Sequence, residues 1–385
     1  MNGLTFEREI IDVVEEYDYD TQYEQYNRYF KSWRKNKQNP FAFNFEMNKK
    51  ESVYIESKGF KVPSLLDAES EVIGKIMHIV GTAMLIWIFI DSIISKVVVQ
   101  ILDHLGLDIH STFFSKAFFG EDDSLLVTVL ILTSFLKIVI PSIYLKKKLQ
   151  MPKEVRFMNV LNRPPDLIRA IAMTLAVSTV TSLPNIYTNS TSQIYNYFST
   201  LDTDVSAWGQ SAFLVYTIYD IIILSIITEL LFHGSVFAAL RQFGDWFAIG
   251  MTAAVAGLLS QDIAEVPAAI MITIVAGAGM VRSGSIYTAF FVRIIYKMYR
   301  LAIAIIETDP SSNMYLDRNF FMLILFIIGT GTVIFCHAMR EKRDYYSEYY
   351  SEVPESKRII AAVKAYPFPV VALLCILAIV LDKVF

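Results

Sequence analysis

Apolar residues gather into nine long runs, at about 72–95, 124–145, 167–187, 207–232, 246–260, 266–281, 284–305, 320–339 and 361–381. Crossing a hydrocarbon core takes about 20 mostly apolar residues in a helix. The runs therefore predict an all-α, polytopic membrane helix bundle of about nine transmembrane helices. The fifth and sixth runs are short and flank Gln261-Asp262-Ile263-Ala264-Glu265, which predicts a helical hairpin. Residues 1–71 read differently. Tyr19, Tyr23, Tyr26, Phe30 and Trp33 fall at i, i+4, i+7, i+11 and i+14 among polar residues, which predicts a helix with one aromatic face. Such a helix is expected to pack on its own bundle, with the bilayer surface or a docking partner as the alternatives. The chain thus divides into a charged, Tyr-rich extension (1–71) and a transmembrane domain (72–385).

Composition agrees with that division. Hydrophobic residues make up 54% and charged residues 19%, against roughly 45–50% and 25% in a soluble globular chain. Residues 1–71 hold 10 of the 34 Lys/Arg and 14 of the 38 Asp/Glu. A soluble enzyme, a disordered chain and a DNA-binding domain are excluded, and a net charge of -4 gives no sign of a nucleic-acid partner. Cys336 and Cys375 lie in apolar runs, so neither a disulfide framework nor a Cys-based metal site is expected. The acidic first 30 residues hold no apolar core of a secretory signal.

Lys and Arg in the short connections set an orientation. Lys146, Lys147, Lys148, Lys153, Arg156 and Arg163 follow the second run; Arg340, Lys342, Arg343, Lys357 and Arg358 follow the eighth. The connections at 188–206 and 261–265 have none. A cell-membrane protein with its N-terminus in the cytoplasm and its C-terminus outside is expected.

Charges inside the runs are the candidate chemistry, because each costs about 2.5–3.5 kcal/mol at the bilayer centre on insertion scales. The fourth run carries Asp220 and Glu229, with His233 at its end; the seventh carries Arg293, Lys297 and Arg300. At about 1.5 Å per residue, Asp220 matches Lys297 in depth and Glu229 comes within reach of Arg293. These residues predict neighbouring helices joined by two buried ion pairs, serving assembly or lining a polar cavity. Asp91 and Lys137 read as lying near span ends, where they snorkel or pair.

The stretch Thr228-Glu229-Leu230-Leu231-Phe232-His233-Gly234 resembles the first motif, E-E-x-x-x-R, of the CAAX-protease and bacteriocin-processing (CPBP) family of intramembrane metalloproteases. Ala239 to Trp246 is similar to that family's turn into the next helix, and Ala256-Gly257-Leu258-Leu259-Ser260 to its F-x-x-x-H. Arg282-Ser283-Gly284-Ser285-Ile286-Tyr287 resembles its R-T-G-S-L-W turn, with Arg293 and Lys297 falling where it has His and Asn. The resemblance covers about 205–302 and implies a CPBP-like core there.

The same resemblance implies which residues have changed. The general-base Glu corresponds to Thr228, which has no carboxylate, and the two His correspond to Ser260 and to Arg293, a cation unable to ligate zinc. Lys297 stands in the Asn position, while Glu229 is retained and His233 replaces Arg. No intact catalytic set, metal site or cofactor is therefore expected. The resemblance implies a non-catalytic pseudoprotease that binds or scaffolds another membrane or envelope protein, with an immunity role among the family's uses. An active protease working through Glu229 and His233, with zinc as cofactor, is the alternative. A transporter or channel subunit is the third reading, though no internal repeat supports it.

Overall fold

In hydrocarbon every backbone N–H and C=O must find its partner within the protein, and a helix does so segment by segment. The computed structural model of the chain describes residues 21–36, 39–43, 53–55, 59–61, 65–111, 118–159, 164–182, 209–260, 265–307, 314–338 and 353–384. Tyr19, the side chain of Tyr23, the connection at 188–206 and the cations Arg163, Arg340, Lys342 and Arg343 lie outside the described residues.

Helix α1 is Thr21–Arg34, followed by the strand pair β1 (Val53–Ile55) and β2 (Gly59–Lys61). Helix α2 (Leu65–Phe89) continues through a π-helical turn, Ile90–Ile94, into α3 (Ser95–His104). A second antiparallel pair, β3 (His110–Ser111) with β4 (Phe118–Phe119), leads to α4 (Asp123–Leu149), α5 (Lys153–Arg156) and α6 (Pro164–Thr181). Next comes a helical run of 34 residues, Gln210–Phe243. It comprises α7 (Gln210–Ile218), a π turn (Tyr219–Leu224), α8 (Ser225–Leu231), a second π turn (Phe232–Phe237), α9 (Ala238–Leu240) and a closing 3-10 turn. The remainder is α10 (Asp245–Ser260), α11 (Val266–Ser283), α12 (Ile286–Glu307), α13 (Met314–Ala338), α14 (Glu355–Lys364) and α15 (Phe368–Val384).

The protein is an all-α, multi-pass membrane bundle. Among the described residues, five helices are long and apolar enough to cross a membrane: Ala68–His104, Asp123–Leu149, Gln210–Phe243, Val266–Ser283 and Leu316–Ala338. Helices fall in all nine expected runs, yet α10 is short and α12 carries three cations, Arg293, Lys297 and Arg300. The final run is not one straight span. It is bent by 73° between Lys364 and Phe368, where Tyr366-Pro367-Phe368-Pro369 interrupts the hydrogen-bond ladder that proline cannot donate to.

Two helix ends also differ from expectation. The first helix runs on to His104, and the fourth continues past His233 to Phe243. The polar step His233-Gly234-Ser235 reads as a span end, but it is enclosed, and residues 231–243 are all buried.

The aromatic face of α1 packs on the bundle. Tyr26, Phe30 and Trp33 are buried, whereas Arg28, Tyr29 and Lys31 on the other side are exposed. Tyr26 donates to the carbonyl of Val155 at 3.2 Å and Asn39 to that of Leu149 at 3.2 Å. The segment after α1 clasps Gln242, which accepts from the Phe43 amide at 2.8 Å and donates to the Phe41 carbonyl at 2.9 Å. Beneath α1 lies the fully buried Arg241, bonded to Asp245 at 2.7 Å and facing the Tyr26 ring at 5.4 Å.

The turn from α11 into α12 aligns the helix that carries the membrane cations. Gly284 has φ 70°, a left-handed cap that glycine adopts without penalty. The Ile286 amide then donates to the Met158 carbonyl at 2.8 Å, tying the start of α12 to the chain after α5.

Candidate functional site

Three π turns interrupt the described helices, and each holds an ionisable side chain: Asp91, Asp220 and His233. A serine in or just after each turn caps a carbonyl five residues back. Ser95 reaches Ile90 at 2.8 Å, Ser225 reaches Asp220 at 3.4 Å and Ser235 reaches Leu230 at 3.2 Å. Such turns widen the helix by one residue and are frequent at functional positions.

At the centre, Glu229 is fully buried and held from two sides. One oxygen accepts from Nε of Arg293 on α12, and the other meets Nδ1 of His233 one turn further along its own helix. The Arg293 guanidinium also reaches the Thr273 hydroxyl at 3.4 Å and lies 5.7 Å from the centre of the Phe232 ring. Nε2 of His233 is buried and has no hydrogen-bond partner among the described residues. It faces Gly277, where a Cβ would stand 3.2 Å from it and 3.0 Å from Ile249. Glycine at this position makes room for the imidazole.

The second expected pair is also present. Lys297 donates to Asp220, with both side chains about a quarter exposed (26% and 24%). A third pair links Lys137 of α4 to Asp91 at 2.9 Å, the ammonium lying 4.9 Å from the Trp87 ring centre. This corrects the expectation that Asp91 and Lys137 sit near span ends. Asp91 lies well inside the first helix because that helix extends to His104, and Lys137 lies near the middle of α4.

The motif positions do not all converge. The Ser260 hydroxyl donates to the Gly257 carbonyl of its own helix at 2.7 Å, the sole hydrogen bond of that side chain among the described residues. Thr228 is partly buried and makes no bond to the Glu229 cluster. The structure adds Arg156, which no membrane run contains. From α5 it donates to the Gly234 carbonyl at 3.2 Å and to Ser235 at 3.0 Å. Burial lowers the pKa of its guanidinium from the ordinary arginine value. Arg156 thus clamps the π turn that carries His233; its place in a Lys/Arg-rich connection marks it for orientation and hides that role.

The zinc that the CPBP resemblance implies does not fit these residues. Both Glu229 oxygens are engaged by cationic or N–H donors, and a guanidinium has no lone pair to offer a metal. Among the described residues no group of three or more His, Cys, Asp or Glu side chains is placed to hold an ion.

A multi-pass helical protein with a buried carboxylate–imidazole–guanidinium cluster is what fold and site together define. Residues 210–299 match a family described as Type II CAAX prenyl endopeptidase Rce1-like. The matched stretch runs from α7 into α12 and contains Asp220, Glu229, His233, Ser260, Arg293 and Lys297. The chain therefore carries a CAAX-protease-like segment of the CPBP kind. No curated protein and no solved structure matches the chain.

Proposed function

We propose that this protein is a non-catalytic relative of the CAAX-type intramembrane endopeptidases that binds and organises another membrane or envelope protein. The observation that carries the reading is the closure of Glu229 by Arg293 and His233. Peptide-bond hydrolysis needs a carboxylate or metal free to activate water. Here the retained carboxylate is spent on holding two helices together, and the positions of the family's other ligands hold Ser260, Arg293 and Lys297. The reading includes no zinc or other cofactor.

In this view the chain sits in the cell membrane with its N-terminus in the cytoplasm and its C-terminus outside. The basic cluster Lys146, Lys147 and Lys148 at the end of α4, beside the docked α1, supports that sense of insertion. The 1–71 extension then presents its exposed face as a cytoplasmic docking element.

The test is proteolysis by the purified full-length chain. Prenylated peptides bearing a CAAX terminus are expected to remain intact with and without added zinc. Cleavage by the wild type that is lost in Glu229→Gln would overturn the proposal in favour of an atypical active protease.

A further inference from the structure

The Asp220–Lys297 pair lies deep and is not fully covered. Asp220 is 10 residues into the run Gln210–Phe243, and Lys297 is 11 residues into α12. At about 1.5 Å per residue both stand about 15 Å from a helix end, near the middle of a core about 30 Å thick. Each side chain is about a quarter exposed. Among the described residues the pair spends one hydrogen bond on itself, and no other side-chain bond of either residue is present. Two ammonium protons and one carboxylate oxygen are left over, at a depth where lipid tails supply no partner.

The surroundings are largely apolar, with Tyr216 and Tyr219 near Asp220 and Arg300, one turn beyond Lys297, paired with Glu265 at 2.8 Å. Ile223, three residues on from Asp220, is 45% exposed. Ile294 and Leu301, one turn to either side of Lys297, are partly exposed. The surface is thus a mostly hydrophobic seam with the Asp220–Lys297 pair at its centre and the Arg300–Glu265 pair toward one end.

We infer that this seam is the interface with a second copy of the same chain. The charge pattern is its own complement: one site has surplus donors and a surplus acceptor, and a two-fold axis along the membrane normal presents both in reverse order. Lys297 of each copy would then donate to Asp220 of the other, while Ile223, Ile294 and Leu301 pack around the resulting four-charge knot. A copy inserted in the same sense places these charges at the same depth. Isologous interfaces require that match, and a single patch satisfies it. The inference is independent of the proposed function, since it concerns the seam and not the Glu229 cluster; a chain that proved proteolytic would still be expected to pair here.

The experiment is disulfide formation in native membranes by full-length Ile223→Cys, in a Cys336→Ala and Cys375→Ala background. A covalent dimer of the chain is expected. Adding Asp220→Leu together with Lys297→Leu removes both charges at once and is expected to cut the yield about tenfold, the scale of one or two interhelical hydrogen bonds. The exchange Asp220→Lys with Lys297→Asp keeps the pattern self-complementary and is expected to restore the yield, provided that the protein remains monodisperse in detergent. Absence of the dimer, a dimer indifferent to the leucine pair, or a folded exchange variant that fails to cross-link would each overturn the inference. So would cross-linking to a different protein alone. Rapid labelling of the Ile223→Cys thiol by a membrane-impermeant reagent would overturn it in favour of a water-filled crevice.

Discussion

Arg293 and Glu229 meet across two helices, 64 residues apart in the chain, and the guanidinium closes one side of a fully buried carboxylate. The pair ties α8 to α12. What it costs to break depends on which partner is removed.

Arg293→Gln strands a buried carboxylate against a single imidazole. Removal of one partner from a buried ion pair costs about 3–5 kcal/mol. Thermal unfolding in detergent is expected to report a loss of that order for Arg293→Gln. Glu229→Leu combined with Arg293→Leu is expected to recover most of it, because no uncompensated charge remains. Equal losses in both variants would show that packing, not charge, dominates the site.

Gly277→Ala probes the space given to His233. Its new methyl would stand 3.0 Å from Ile249 and 3.2 Å from the imidazole Nε2. Overpacking of this sort costs about 1–3 kcal/mol. The expected readout is a lower unfolding midpoint, and an unchanged midpoint would mean that the helices part without strain.

Phe30→Ala tests the docked extension. Phe30 is 1% exposed and stacks 6.0 Å from Tyr26 over the buried Arg241. Truncating a buried Phe costs about 3–5 kcal/mol. That is enough to loosen α1, so limited trypsin treatment is expected to cut faster at Arg34 and Lys35 than in the wild type. Unchanged cutting would place the holding contacts elsewhere, with Gln242 and its two bonds to the chain after α1 the next variant to make.

Chelation supplies the fourth test. Prolonged EDTA treatment is expected to leave the thermal midpoint unchanged, since in the proposed reading the Glu229–Arg293 pair joins α8 to α12 without a metal. A fall in midpoint that zinc reverses would contradict the donor arrangement around Glu229.

Both ion pairs are legible in the amino-acid sequence through depth arithmetic, because rise per residue is the same whatever a helix touches. The aromatic face of α1 is legible for the same reason: Tyr26, Phe30 and Trp33 keep a helical period. Helix ends are harder. His233-Gly234-Ser235 lowers local hydropathy as a membrane boundary does, yet here Nδ1 of His233 and the Ser235 hydroxyl are satisfied inside, by Glu229, Arg156 and a backbone carbonyl. Arg156 itself is hidden because it acts from a connection, where no periodicity links a side chain to its target. The bend before Phe368 is written in Pro367 and Pro369 but masked by the surrounding run of apolar residues.

The π turns have a further consequence for how this sequence tolerates change. Each one holds a residue that an ordinary α-helix would not accommodate. Were Tyr219–Leu224 to regularise to α-helix at its present length, everything beyond it would rotate by about 100° about the helix axis, and Glu229 and His233 would swing away from Arg293 while Asp220 kept facing Lys297. Deleting one residue from the turn instead closes the ladder as a regular helix and leaves the two flanking segments near their present phase. The turn between them is therefore a phase adjuster: it absorbs one residue and lets one helix present two separate charges to the same neighbour.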